Sequence, residues 1–106
     1  MTTISAIGED ITICVNNAVK KSLIASKAIH ATVESFDSFP FKFYIFDYQV
    51  DSQVTMEDMK NIERIIKYNM RNKGVKVDGV GFSISIVIES PQHYILNLRV
   101  SLRVRL

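Results

Sequence analysis

Cysteine is almost missing from this sequence: Cys14 stands alone, so no internal disulfide can form, and no N-x-S/T triplet occurs either. Both absences suit a cytoplasmic or nuclear protein, and that location is expected. Long apolar runs are lacking as well. Nowhere do about 18 apolar residues follow one another, and the first residues show neither the basic region nor the apolar core of a signal peptide. The chain is therefore expected to be soluble, not secreted and not in a membrane. Proline occurs only at 40 and 91, and no repeat, low-complexity tract or linker is visible. A single domain over residues 1–106 follows.

The residues of catalysis and metal binding are equally sparse. No G-x-x-x-x-G-K, G-x-G-x-x-G or G-x-S-x-G motif is present. The two histidines, His30 and His93, have no acidic or cysteine partner at ligand spacing, and Asp47 and Asp51 are too loosely placed for a metal or an acid/base pair. Cys14 lies in an apolar stretch and reads as a buried, inert thiol. No enzyme activity, catalytic residue, metal or cofactor is expected.

What is present is an ordinary globular composition, 47% hydrophobic and 23% charged, with an uneven charge map. Residues 1–58 carry four Lys and eight Asp or Glu, whereas residues 59–106 carry nine Lys or Arg against Glu63, Asp78 and Glu89. Such a dipolar surface can steer an anionic partner although the net charge is only +2.

Patterning predicts six elements. Residues 2–7 read as a short strand, although "ITICV" at 11–15 could open the first helix or pair as a strand itself. Ile11, Val15, Ala18, Ser22, Ala25, Ile29 and Val33 have the spacing of an amphipathic helix over 10–33. After Pro40, "FKFYIFDYQV" reads as a central strand, with Phe41, Phe43 and Ile45 on one face and Tyr44, Phe46 and Tyr48 on the other. Thr55 with Asp58 opens a second helix whose stripe is Met56, Met59, Ile62, Ile66 and Met70, and Gly74 closes it. A hairpin of alternating strands about "SPQ" completes the chain. The expected class is α+β, two helices on one face of a small mixed sheet, in the order β-α-β-α-β-β.

Two basic rows stand out. Lys60, Arg64, Lys67 and Arg71 share one face of the second helix, and Arg99, Arg103 and Arg105 share one face of the last strand, beside which Ser83 and Ser85 can lie. Together they would bind phosphates, and bases could stack if Tyr44, Phe46 and Tyr48 joined the arginine face. A solvated helix favoured by its dipole, and an arginine-guarded strand edge, account for the same charges.

"IERIIKYNMRNKGVKVDGVGFS" and "YILNLRVSLRV" resemble segments of the Alba family of small chromatin and RNA-binding proteins, as does the element order read above. That resemblance implies a homodimer that binds nucleic acid. Where the family has a glycine followed by lysines, this chain reads "IGED", and its hairpin tip, "ESPQH", is short and not basic. RNA or DNA would therefore meet the two basic rows. The alternative is a protein-interaction module such as an inhibitor or assembly subunit. A homo-oligomer is also expected because a helix over 10–33 would reach about 36 Å at about 1.5 Å per residue, and Ala18, Ser22 and Ala25 would let a second backbone approach it.

Overall fold

The structure, a computed structural model, describes residues 2–23, 29–50 and 53–105, with side chains for 9–23, 34–50 and 53–105. Helix α2, Met56–Asn72, starts and stops where local chemistry dictates. The Thr55 hydroxyl accepts from the Asp58 amide at 3.1 Å and the Asp58 carboxylate accepts from the Thr55 amide at 3.0 Å, a reciprocal capping box. At the other end Gly74 takes φ 75°, its amide donates to Arg71 O at 3.0 Å, and the Val75 amide donates to Met70 O at 2.9 Å. That Schellman closure needs a residue free to adopt the left-handed region, which is why glycine stands there. Of the expected stripe Ile62, Ile66 and Met70 are fully buried and Met59 is half-buried, whereas Met56, in the first turn, is exposed.

Helix α1 runs Thr2–Ser22, and strand β1, Ile29–Ser38, follows it. The expected strand over 2–7 and helix to residue 33 are corrected accordingly. Ile11, Val15 and Ala18 hold their place in the buried stripe, joined by Cys14 and Val19. Extending an established helix backward adds one bond per residue without a new nucleation cost, which outweighs the modest strand preference of the early β-branched residues. Ala25 lies outside the described residues. Ile29 and Val33 misled because a spacing of four is compatible with both the helical and the two-residue strand period.

β1 turns at Phe39–Pro40, a cis peptide, into β2, Phe41–Val50. After α2 come β3, Val77–Ser90, and β4, His93–Arg105. The strands lie in the order β1-β2-β4-β3 and every pairing is antiparallel. The α+β class, with two helices beside one sheet, is as expected; the chain order is α-β-β-α-β-β, and the sheet is antiparallel rather than mixed. The molecule is built as two successive α-β-β units whose second strands, β2 and β4, pair at the centre. The order that supported the likeness to the Alba family is thus not the order of this chain.

One sheet face meets the helices. Tyr44, Phe46 and Tyr48 stand opposite Leu102, Val100 and Leu98, and all six are buried with the stripes of α1 and α2. Burying each such side chain stabilises the fold by roughly 1.5–3 kcal/mol. The Tyr48 hydroxyl donates to Asn16 Oδ1 at 2.7 Å, tying β2 to α1, and burial raises its pKa. The Cys14 thiol contacts Ile66 O at 3.9 Å, and burial, the largest influence, raises its pKa too. Ala18 is completely covered by its own chain. The small-residue seam at that position therefore serves internal packing.

Candidate nucleic-acid interface

The sheet register decides which side chains share the face that the helices leave uncovered. Phe41 pairs with Arg105, Phe43 with Arg103, Ile45 with Ser101 and Asp47 with Arg99. On the β3 side Gly79 faces Arg103, Gly81 faces Ser101 and Ser83 faces Arg99; on the β1 side Phe36 faces Phe43. Directly paired residues point the same way, so this open face gathers three phenylalanines and three arginines.

The phenylalanines touch. Phe36 and Phe43 stack with ring centroids 4.9 Å apart and planes within 9°, and Phe41 meets Phe43 edge-on at 6.4 Å. The Arg103 guanidinium lies 4.8 Å from the centre of the Phe41 ring and that of Arg105 lies 5.9 Å from it. Both fall in the range of a cation held over an aromatic ring. Arg103 also reaches toward the β3 edge, because its strand partner Gly79 has no side chain: the guanidinium Nη2 comes within 3.7 Å of where a Cβ would stand. There it meets Asp78 at 3.1 Å.

The arginines differ in what holds them. Asp47 binds Arg99 through two hydrogen bonds, 2.8 and 3.0 Å long, and this interaction is the main reason the Asp47 pKa is lowered. Among the described residues no carboxylate pairs with Arg105.

The other four expected cations lie elsewhere. Lys60, Arg64 and Arg71 are exposed on α2 and Lys67 is half-exposed, on a helix that covers the opposite side of the sheet. Arg64 donates to Asn61 Oδ1 at 3.0 Å, and Lys67 pairs with Glu63 at 3.5 Å. Lys67 and Arg71 line a cleft with Lys76 beyond the end of α2. Lys76 is linked to the sheet end, since its carbonyl accepts from the Arg105 amide at 3.2 Å. The seven residues therefore form two separate surfaces, and only the strand row meets aromatic rings.

The condition under which Tyr44, Phe46 and Tyr48 would have joined the arginine face is not met. Tyr44, Phe46 and Tyr48 are buried under the helices, and Phe36, Phe41 and Phe43 take the open side. The shared parity of Phe41 and Phe43 was a legible signal, because one of the two aromatic faces of β2 had to be the open one. The contribution of Phe36 was concealed by the helical reading of the residues before it. No protein-family model matches the chain, and no curated protein matches it at a significant level.

Proposed function

We propose that the protein is a non-catalytic binding module that holds single-stranded RNA or DNA on the open sheet face. The observation that carries this reading is the Phe41 ring with Arg103 and Arg105 over it, beside the Phe36–Phe43 stack. Each base has a flat π surface, and stacking on an aromatic side chain is worth about 1–3 kcal/mol per base with little sequence preference. The arginines supply cations where the phosphates of a stacked strand would run, and Ser83, Ser85 and Ser101 keep the neighbouring surface low. Arg99 and Arg103 are engaged by Asp47 and Asp78 and contribute less than Arg105. Phosphate contacts should then be few, with a slope of log affinity against log salt of about −0.7 per contact.

The test is fluorescence anisotropy of random single-stranded oligonucleotides against salt. Binding that is salt-dependent, lowered about tenfold or more by Phe41→Ala, and weaker for duplexes supports the reading. Absence of binding at low ionic strength would assign the module to a protein partner instead.

A further inference from the structure

β3 is an edge strand, and its residues from Ser83 to Ser90 are all exposed. On the side facing the helix layer Ile84, Ile86 and Ile88 become progressively less covered, 44%, 63% and 75% exposed. Residues 79–88 contain no charge and no proline. Natural edges are usually guarded by such residues, by bulges or by a covering element. Here the register with β4 slips only at the two ends, between Val77 and Gly79 and between Ile88 and Ser90. Asp78 and Glu89 are the extra residues there, and everything between them pairs regularly.

We propose that a second copy of the chain pairs antiparallel along this edge, about a two-fold axis at Ile84, joining two four-stranded sheets into one of eight strands. The sequence is self-complementary in that register. Phe82 meets Ile86 of the second copy, Val80 meets its Ile88, and on the open face Ser83 meets its Ser85. Charge agrees as well. Glu89 of the second copy arrives at Gly79, beside the Arg103 guanidinium that Asp78 also holds, so each of the two arginines is shared between its own Asp78 and the incoming Glu89. Moving the axis to Ser83 would set Asp78 against an isoleucine. Moving it to Ser85 would run the pairing into the bulge and Pro91. The axis at Ile84 pairs residues 80–88 with one another, all within the regular segment, and closes the assembly at two copies, because pairing consumes the one uncharged, proline-free edge strand among the described residues of each.

Sedimentation velocity and oxidative cross-linking of the full chain test this. A dimer is expected at tens of micromolar, with association weakened at least about a hundredfold by Ile86→Lys, which places a charge in the apolar row. Residues paired on the axis have Cα atoms about 4.5–5.5 Å apart, within the span of a disulfide. Ile84→Cys should therefore cross-link rapidly under mild oxidation. Phe82→Cys should not, because two copies of that residue would lie about 13 Å apart at about 3.3 Å per residue. Native Cys14 is buried and does not interfere. A monomer at 100 µM, about the top of an ordinary association assay, or equal cross-linking of the two cysteine variants, would overturn the proposal. Circular dichroism of the cysteine variants separates either result from misfolding, and neither readout depends on nucleic-acid binding.

Discussion

Arg99 grips Asp47 across β4 and β2 with two parallel hydrogen bonds, 2.8 and 3.0 Å, on the open face of the sheet. The consequence is a defined acid sensitivity. The folded Asp47 pKa is depressed below its ordinary 3.8, chiefly by the Arg99 hydrogen bond, so its contribution to stability is present above that value and is lost as pH falls through the folded one. Urea midpoints measured from neutral pH down into strong acid should show Asp47→Asn least stable relative to the wild type at neutral pH. The gap should close below about pH 4.

Tyr48 gives the opposite dependence. Its folded pKa is raised by burial, so stability is complete below the ordinary tyrosine value of 10 and declines as pH rises past it. Tyr48→Phe should remove much of that alkaline decline. At neutral pH it should cost about 1 kcal/mol, because Asn16 Oδ1 loses its donor. Thermal melts at two alkaline pH values check both points.

Ile66 and Ile86 separate core from edge. Ile66 is fully buried at the meeting of α1 and α2, so Ile66→Ala should cost about 2–5 kcal/mol in chemical denaturation. Ile86 is 63% exposed, and Ile86→Ala in dilute monomer should cost well under half as much.

Thr55→Ala removes the acceptor of the Asp58 amide at the start of α2 and should lower stability by about 1 kcal/mol. Thr55→Ser retains the hydroxyl and should cost less, a comparison readable from the same denaturation curves.

These features were unequally visible in the chain. Thr55, Asp58 and Gly74 announced α2 because capping is settled within a few residues. The alternation from Tyr94 onward gave β4 and its arginine side for the same reason. What separated Phe41 and Phe43 from Tyr44 and Phe46 was the pairing of β2 with β4, a contact between residues about fifty positions apart that no local pattern encodes. The position of β1 was hidden because Ile29 and Val33 suit two periods at once. The neutralisation of Arg99 by Asp47 likewise depends on that long-range register.

Anisotropy titration of a labelled random single strand against the wild type, Phe41→Ala, Arg105→Gln and the combined Lys60, Arg64, Lys67 and Arg71→Gln variant distinguishes the open sheet face from α2 as the binding surface. Phe41→Ala should weaken binding about tenfold or more, and Arg105→Gln should shrink the salt slope by roughly 0.7. The helix variant should retain most of the affinity. Loss of binding in the helix variant alone, with Phe41→Ala and Arg105→Gln unchanged, would rule out the sheet face and move the site to α2.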